Sequence, residues 1–392
     1  MKLRKFIIGM PILAGVVACL SFQTALADDA TNARAMTRNL YVGADLFRIL
    51  GPGDLFDNAG DVLDTVLQTQ FQERAKFLAE EIERSDPHVI GLQEVSTIYA
   101  QSLATGEVIF LDYLAILQAE LAARGLNYVV PGAATSSNFD VTIIANLPVA
   151  PGVRIPHFVN LVDRDVVLVR GDIAFSNPDS DNYFHNASVE LGALGFLEFT
   201  RGWGSVDIQF EGHSYRFLNT HLEVNTSPDL ATIQALQALE LLQGVFDPGS
   251  GTFFMPPILE VLAAKYGPAP LVLAGDFNSD PNGLCIHLLC AAGIGTPYQL
   301  LAFDAGFQNA WALRKNKNDD GGNTCCFSET LDDIDTIALQ ERLDHIWVSG
   351  GIAVNSVTVK LEGDELKRRT DDGLFPSDHL GVSARMSLEI AP

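Results

Sequence analysis

The sequence is poor in basic residues and in cysteine, and it lacks internal repeats, low-complexity tracts and Ser/Gly-rich or Pro-rich linkers. It carries 25 Lys and Arg against 49 Asp and Glu, which gives a formal net charge of −24. A chain with this excess of negative charge repels polyanions at long range, and it has no basic patch of the kind typical of tight, sequence-reading DNA-binding proteins. The absence of linkers and repeats favours a single large domain.

Residues 1–27 have the pattern of an export signal. Lys2, Arg4 and Lys5 form a positive n-region, residues 6–22 are mostly apolar, and Ala25-Leu26-Ala27 is a small-x-small cleavage site. The apolar stretch is short and is interrupted by proline and glycine, which disfavours a membrane span. We therefore expect residues 28–392 to form one domain of a secreted or periplasmic protein, with a net charge of −27 once the three basic residues are removed.

Cys19 leaves a second interpretation of the N-terminus. Val16-Val17-Ala18-Cys19 is similar to a bacterial lipobox, and processing there would leave a lipidated Cys19 in place of a soluble chain. Both interpretations place the processed chain outside the cytoplasm.

Four cysteines remain after residue 27, namely Cys285, Cys290, Cys325 and Cys326. An even number in an exported chain indicates one or two disulfides, and three full connectivities stay open. Adjacent cysteines rarely bridge each other, because the geometry is strained. The Cys325-Cys326 pair also lacks the usual spacing of zinc ligands, so a zinc site is disfavoured.

Apolar patterning predicts many short strands with helices between strand pairs. Strands are predicted at residues 33–42, 88–95, 127–130, 141–145, 166–170, 341–348 and 352–361, a hairpin at 197–210 and 214–221, and helices at 71–84, 111–124 and 230–244. Loops are predicted at residues 45–64, in part helical, at 177–195, and at 253–256 within an insertion that spans 245–270. Many hairpin-like pairs argue against an all-parallel sheet, and two packed sheets with helices outside fit the pattern.

The segment Leu271–Pro281 combines a buried strand with polar residues at its end. The apolar run 271–274 stops at Gly275, and Asp276 and Asn278 follow. Because residues i and i+2 of an extended segment point the same way, a carboxylate and a carboxamide leave the strand side by side. These groups suit a hard cation and a phosphate oxygen, and an Asx turn that closes the strand is the structural alternative.

Other strand ends carry matching polar residues, and their order along the chain resembles a known superfamily. The segments are Asn39, Gln93-Glu94, Asn219-Thr220-His221, Gly275-Asp276-Phe277-Asn278, Arg342-Leu343-Asp344 and Ser377-Asp378-His379. They resemble the endonuclease/exonuclease/phosphatase superfamily, also called DNase I-like, over nearly all of residues 28–392. The resemblance implies an α+β fold, a four-layer α/β/β/α sandwich of two mainly antiparallel sheets flanked by helices, and metal-dependent phosphoester hydrolysis.

Phosphoryl transfer requires neutralised charge on the phosphate and a positioned nucleophile, which suggests metal ligands among these residues. Glu94 is the first candidate for a metal ligand. Asn39 would complete the set of metal ligands or steady it, or it could be a turn residue at a strand end. Asp378 could approach the metal as well. Mg2+ is the expected ion, with Mn2+ or Ca2+ as alternatives, because Mg2+ takes few carboxylates besides water and substrate oxygens.

The remaining candidates suit proton transfer and phosphate binding. His379 is the candidate general base, and Asp344 would orient it by accepting from its other ring nitrogen, unless Asp344 pairs with Arg342 at a surface. His221 would donate to the phosphate or the leaving oxygen. Asp276 and Asn278 would position the attacking water and hold a phosphate oxygen. His345 stands where the superfamily often has an aromatic residue, and it is either a substrate-side or a strand residue.

These candidate residues are consistent with two classes of function. The first is an exported metal-dependent phosphodiesterase or phosphatase, nuclease-like or sphingomyelinase-like, which acts as a monomer without an obligate protein partner. Its substrate would be nucleic acid, a phospholipid head group or a small phosphate ester. The second is a catalytically inactive binding protein on the same fold. The full set of acid, base and amide residues favours the enzyme.

Overall fold

The computed structural model of the protein describes residues 30–190, 195–315, 321–349 and 353–389. The predicted signal segment and Cys19 lie outside the described residues. In chain order, the strands are β1 (Ala30–Asn39), β2 (Val89–Gln93), β3 (Thr97–Ser102), β4 (Val108–Asp112), β5 (Tyr128–Val129), β6 (Thr135–Ala150), β7 (Val153–Arg170), β8 (Ala174–Asn182), β9 (Ala187–Glu190), β10 (Phe196–Phe199), β11 (Gly202–Phe210), β12 (His213–His221), β13 (Val245–Asp247), β14 (Thr252–Met255), β15 (Leu271–Asp276), β16 (Gln308–Asn309), β17 (Asp344–Val348), β18 (Ala353–Glu362) and β19 (Gly381–Glu389).

The helices of the described residues lie between these strands. They are α1 (Leu55–Gln68), α2 (Phe71–Ser85), α3 (Tyr113–Ala123), α4 (Pro228–Leu242), α5 (Ile258–Tyr266), α6 (Pro297–Gln299) and α7 (Ala310–Leu313), with shorter helical turns at Leu46–Leu50, Cys290–Ala292 and Leu300–Asp304. None of the helices in these ranges is long and apolar enough to cross a membrane.

Two large sheets form the centre of the fold. One has the order β18-β19-β1-β2-β7-β3-β4, with β5 and β6 also paired to β7, and the other has the order β16-β17-β15-β12-β11-β8. Only the pairs β1–β2 and β12–β15 are parallel among the described pairings of these two sheets. The prediction of two mainly antiparallel sheets is confirmed.

The central strands are apolar on both faces because each sheet is covered on both sides. In β15, Val272 and Ala274 point into the core between the two sheets, whereas Leu271 and Leu273 point into a second core beneath α4 and α5. This alternation follows the two-residue period of a strand. A third core lies between the other sheet and the helices α1, α2 and α3. The result is the predicted four-layer α/β/β/α sandwich.

The two sheets are in close contact at Gly91 in β2 and Asn219 in β12. A Cβ atom at Gly91 would lie 2.2 Å from the Oδ1 atom of Asn219. The side chain of Gln93 donates to that oxygen over 2.6 Å, and Asn219 Nδ2 donates to the carbonyl of Leu92 over 3.0 Å. These buried hydrogen bonds join the sheets beside the ends of strands that carry the candidate residues.

The loop predicted at residues 45–64 is helical over more of its length than expected, and the loop predicted at residues 177–195 was wrong at two places. Residues 55–68 form the full helix α1, because Asp54 caps its N-terminus by accepting from the backbone N–H groups of Phe56 and Asp57. Residues 177–182 belong to β8, and 187–190 form β9. In each case helix capping or pairing with a neighbouring strand outweighed the polar, turn-rich composition that had predicted a loop.

The prediction of one or two disulfides is confirmed for Cys285 and Cys290, which are bonded to each other. The sulfur atoms of the adjacent residues Cys325 and Cys326 are in contact.

Candidate active site

Three candidate side chains stand at the same level on neighbouring strands of the six-stranded sheet. His221 in β12 is paired in register with Asp276 in β15, and Asp276 is paired with Asp344 in β17. All three are at most 2% exposed. The strand register therefore brings residues that are far apart in sequence into one row.

The other sheet contributes Asn39 at the end of β1, and Glu94 directly after β2. The Nδ2 atom of Asn39 donates to Glu94 Oε1 over 2.9 Å and to Asp276 Oδ2 over 3.2 Å. Its Oδ1 atom accepts from the backbone N–H of Tyr41 over 2.9 Å. Asn39 thus links carboxylates from the two sheets, and its amide group faces them through nitrogen. Of the two predicted roles of Asn39, these contacts correspond to steadying the acidic side chains rather than to binding the metal.

His379 lies between two carboxylates. Its Nδ1 atom is 2.8 Å from Asp344 Oδ2, and its Nε2 atom is 3.7 Å from Asp276 Oδ2. Burial alone would lower the pKa of His379, but the negative charges of Asp344, Asp276 and Asp378 outweigh burial and raise that pKa well above its usual value. The alternative surface pair of Asp344 with Arg342 is not formed, since Arg342 donates to the carbonyl of Gly321 instead.

His221 is also placed between two carboxylates. Its Nδ1 atom is 3.6 Å from Asp165 Oδ1, and its Nε2 atom is 3.7 Å from Asp276 Oδ2. Burial and the charge of Arg201 lower the pKa of His221, but Asp165 and Asp276 reverse the balance and raise it. The Nη1 atom of Arg201 lies 3.0 Å from His221 Nδ1, and its Nη2 atom is 3.3 Å from Glu223 Oε1.

Asp165, Asp163 and Arg201 are parts of the site that sequence reasoning missed. Asn138 Nδ2 donates to Asp163 Oδ2 over 2.8 Å and to Asp165 Oδ1 over 3.0 Å. Burial raises the pKa of Asp163 to about 7, and the charges of Glu94 and Asp165 add to this effect. The available signal was two acidic residues at alternate positions directly before the apolar run 166–169 of β7, where a buried charge requires a partner.

Asp276 serves two purposes with its two oxygens. Its Oδ1 atom accepts from the backbone N–H of Asn278 over 2.9 Å, which is the Asx turn that the sequence suggested as an alternative. Its Oδ2 atom faces Asn39 and both imidazoles. Burial alone would raise the pKa of Asp276, but the charges of His379 and His221 outweigh burial and lower that pKa below its usual value. Asn278 donates its side-chain amide to the carbonyl of Leu222 over 3.0 Å. The turn and the polar site therefore coexist.

A buried arginine holds the segments that carry Asn39 and His379. Arg74 is fully buried, and its guanidinium donates to four backbone carbonyls at 2.8 to 3.0 Å, those of Thr69, Leu40, Pro376 and Tyr41. A guanidinium can serve several acceptors at once because its donors form a fixed planar fork. Arg74 therefore ties helix α2 to both strand-end segments.

The oxygen donors of the site suit a hard divalent cation. Burial raises the pKa of Asp378 to about 7, and the negative charges of Glu94 and Asp276 add to the effect of burial. Asp344 Oδ1 is buried and has no hydrogen-bond partner among the described residues. Carboxylates crowded together in this way repel one another, and a divalent cation would relieve the repulsion. The donor set therefore fits a divalent cation.

His345 is a core residue of β17. It is 1% exposed, and its ring packs against those of Phe277, Tyr298 and Trp347. Of the two alternatives from the sequence, the structure shows the strand residue.

Comparison with known proteins gives one family match and several similar folds. The model of the Endonuclease/Exonuclease/phosphatase family matches residues 68–379. No curated protein matches the sequence. Among solved structures, an endonuclease/exonuclease/phosphatase family protein from Bacteroides thetaiotaomicron is 15% identical, with 92% of this chain and 99% of that chain covered and a TM-score of 0.49.

Two further solved structures are similar over comparable lengths. Truncated TDP2 from Caenorhabditis elegans is 15% identical, with 91% of this chain and 97% of that chain covered and a TM-score of 0.46. A mannosyl-6-phosphatase from Bacteroides thetaiotaomicron is 14% identical, with 90% of this chain and 99% of that chain covered and a TM-score of 0.46.

Proposed function

Because this chain belongs to the Endonuclease/Exonuclease/phosphatase family and is thus a metal-dependent phosphoester hydrolase, we propose that it is an exported phosphodiesterase with His379 as its general base. The observation that carries this proposal is the position of His379 between Asp344 and Asp276. Export rests on the signal pattern of residues 1–27 alone.

His379 would take the proton of the attacking water on Nε2. The contact with Asp344 assigns the proton of the ring to Nδ1, because a carboxylate can only accept. This leaves Nε2 unprotonated in the neutral ring and directed toward Asp276. Asp344 keeps the ring in this tautomer and stabilises the imidazolium that forms. Asp276 and Asn278 would position the water and hold a phosphate oxygen.

His221 would act on the phosphate or on the leaving group rather than on the attacking water. Its raised pKa favours the protonated ring, which donates a hydrogen bond to the phosphate or to the leaving oxygen. Asp165 and Asp276 flank the ring at 3.6 and 3.7 Å and Arg201 Nη1 lies 3.0 Å from Nδ1, so the buried ring is positioned before substrate binds. Such prior orientation lowers the barrier because little reorganisation remains in the transition state.

Glu94, steadied by Asn39, and Asp378 would hold a divalent cation, Mg2+ in the first instance and Mn2+ or Ca2+ as alternatives, which would supply positive charge to the phosphate oxygens. The net charge of −24 disfavours long-range attraction of nucleic acid, so phosphodiester binding depends on this local charge.

One observation favours the phospholipid alternative among substrates. An exposed apolar ribbon is formed by Phe184, Phe253, Phe254 and Met255, whose side chains are 46 to 62% exposed. The rings of Phe184 and Phe254 are in contact, with centroids 5.4 Å apart. The amide of Gln237 links the backbone of His185 to that of Glu223, two residues beyond His221. An apolar surface connected to the site through these hydrogen bonds suits a substrate held in a lipid layer.

The experiment is a hydrolysis assay on plasmid DNA, on sphingomyelin vesicles and on bis-p-nitrophenyl phosphate, with Mg2+ and with EDTA. We expect EDTA-sensitive turnover of at least one substrate, and loss of that turnover in His379→Ala with the fold retained by circular dichroism. Turnover of sphingomyelin alone would favour the phospholipid substrate. No turnover on any substrate would favour the inactive binding protein, and near-normal turnover in His379→Ala would refute His379 as the base.

A further inference from the structure

The segment that follows the candidate site along the chain carries no charge over a long distance. Residues 281–303 contain no Asp, Glu, Lys or Arg, and this is the longest such stretch after residue 27 of a chain with 49 acidic residues. It begins just beyond Asn278, whose backbone and side chain belong to the turn at the end of β15. A neutral segment therefore follows directly on the acidic site.

Within this segment, residues 284–288 form an exposed apolar loop. Leu284 is 82% exposed and Leu288 is 69% exposed, and Ile286 between them is exposed as well. The side chain of His287 is buried, so the aliphatic side chains point to solvent at alternate positions of the loop. Single exposed apolar residues are ordinary on a protein surface, but three on one short loop indicate a contact surface.

The apolar loop is closed and anchored from its inner side. Cys285 is bonded to Cys290, which joins the two ends of the loop. The backbone N–H of Leu288 donates to Thr232 Oγ1 in α4 over 3.1 Å. The exposed side chains are thus presented by a backbone that is already ordered, and a partner that binds them has little conformational entropy to remove.

The chemistry of the apolar loop fits a lipid bilayer without net charge. Aliphatic side chains enter the boundary between head groups and acyl chains, whereas a carboxylate carried there would lose its hydration. The net charge of −24 opposes an anionic bilayer and does not oppose a zwitterionic one. The loop also lacks the Tyr, Trp and Arg side chains that dominate protein–protein hot spots, in which Leu is under-represented.

We propose that the apolar loop inserts Leu284, Ile286 and Leu288 into the surface of a zwitterionic phospholipid bilayer and thereby brings the site to phosphoesters of the head-group layer. The loop follows the turn at Asn278 directly, so its insertion keeps the end of β15 next to the bilayer. Hydrolysis of a head group rests on the proposed function, whereas binding to the bilayer does not.

The apolar loop is distinct from the ribbon of Phe184, Phe253, Phe254 and Met255. Strands β13 and β14 of the ribbon follow the C-terminal end of α4, whereas the apolar loop contacts Thr232 near the N-terminal end of that helix. The two apolar surfaces therefore require separate variants.

The test measures flotation of the purified protein with vesicles of phosphatidylcholine and sphingomyelin. The loop variant is Leu284→Ser/Leu288→Ser. The matched control is Ile334→Ser/Ile337→Ser, which removes side chains that are 84% and 75% exposed beside three aspartates of residues 332–335. We expect the loop variant to bind at least about tenfold more weakly than wild type and the control, because binding scales with the apolar area transferred.

Two further readouts accompany flotation. Replacing part of the phosphatidylcholine by phosphatidylglycerol should weaken binding of wild type, and turnover of soluble bis-p-nitrophenyl phosphate should be the same in wild type and the loop variant. Leu288→Trp should show a blue-shifted emission when vesicles are added, and Ile337→Trp should not. The native tryptophans are at most 9% exposed, so they respond little to lipid.

The outcomes separate this proposal from the proposed function. Equal vesicle binding in wild type and the loop variant would overturn it, and loss of binding only in Phe253→Ser/Phe254→Ser would assign the contact to the ribbon instead. A dimer of wild type that the loop variant abolishes would also overturn it, since the loop would then bind a second copy. Reduced vesicle binding with undiminished turnover of sphingomyelin would overturn the delivery of head groups. Vesicle binding without turnover of any substrate would count against the proposed function alone.

Discussion

Asp344 holds the imidazole of His379 through a 2.8 Å contact between Oδ2 and Nδ1, and both side chains are buried. They come from different segments, since Asp344 begins β17 and His379 precedes β19. The orientation of the candidate base therefore depends on how these segments pack against each other.

Asp344→Asn should lower turnover by about 10²- to 10⁴-fold, as the loss of an orienting carboxylate does in a hydrolase triad. The carboxylate of Asp344 also raises the pKa of His379, so the variant should have a lower pKa there. A lower pKa keeps His379 neutral at lower pH, and the acidic limb of the pH–rate profile should move to lower pH. The measurement is that profile, with Asp304→Asn, an exposed carboxylate, as the control. An unchanged limb would count against the pair.

Glu94→Gln should raise the Mg2+ concentration for half-maximal activity by about tenfold or more, because it removes a full charge from the proposed metal site. Glu94 accepts from Asn39 and from the backbone N–H of Val42, and an amide oxygen can keep only part of this pattern. Thermal unfolding with increasing Mg2+ checks binding without activity, since a bound ion stabilises the folded state. Glu107→Gln, at an exposed site, is the control, and equal Mg2+ curves would reject Glu94 as a ligand.

Arg74→Lys should reduce the free energy of unfolding by about 2 to 4 kcal/mol, because one ammonium cannot serve four buried carbonyls and each unpaired buried acceptor costs about 1 to 3 kcal/mol. Turnover should fall as well, since Arg74 holds the backbone at Leu40 and Pro376 on either side of the site. Urea denaturation and kinetics measure the two effects. Arg124→Lys, which changes a partly exposed arginine, should alter neither, and a stable, active Arg74→Lys would contradict this role.

His88→Gln should make stability less sensitive to acid. Burial lowers the pKa of His88 to about 4, and Arg34 and Arg170 lower it further. Arg34 Nε donates to His88 Nε2 over 3.0 Å, which requires an unprotonated nitrogen. Between pH 6.5 and 4 the unfolded chain therefore binds the extra proton, and wild type loses up to about 3 kcal/mol as the pH falls through this window.

Glutamine cannot titrate and its oxygen can still accept from Arg34, so this contribution should disappear in His88→Gln. Urea denaturation at pH 7, 5.5 and 4.5 measures the difference between variant and wild type. His213→Gln, at a half-buried surface position, is the control. Parallel stability curves for wild type and His88→Gln would show that His88 does not contribute to acid sensitivity.

The regular elements with strong patterns were predicted well. The helix predicted at residues 71–84 is observed at Phe71–Ser85, and the predicted hairpin of β11 and β12 is present. Apolar faces at helical or strand spacing report burial directly, so they can be recognised without the fold. The helix α1 was underestimated, because its glycine, aspartate and asparagine residues weaken the pattern while Val62 and Val66 pack into the core.

The sequence predicted only some of the residues that form the candidate site. The six polar segments were recognisable because each stands where an apolar strand ends, and the structure gathers Asn39, Glu94, His221, Asp276 and Asp344 around one point. Asp165 was missed although Asp163 and Asp165 alternate in β7, and Arg201 was missed because a single basic residue has no spacing that distinguishes it from a solvated one. Asp165 lies in β7 and Arg201 directly precedes β11, so their proximity to His221 depends on how these strands pack beside β12.

The sequence alone determined which residue types are present and which strands are apolar on both faces, because these properties follow from local chemistry and from the two-residue period of a strand. Tertiary structure decided which side chains meet. The register of β12, β15 and β17 sets His221, Asp276 and Asp344 abreast, and the bridge between Cys325 and His379 sets a cysteine pair over an imidazole. Contacts between residues so far apart in the chain are fixed by the packing of two sheets, which no local pattern specifies.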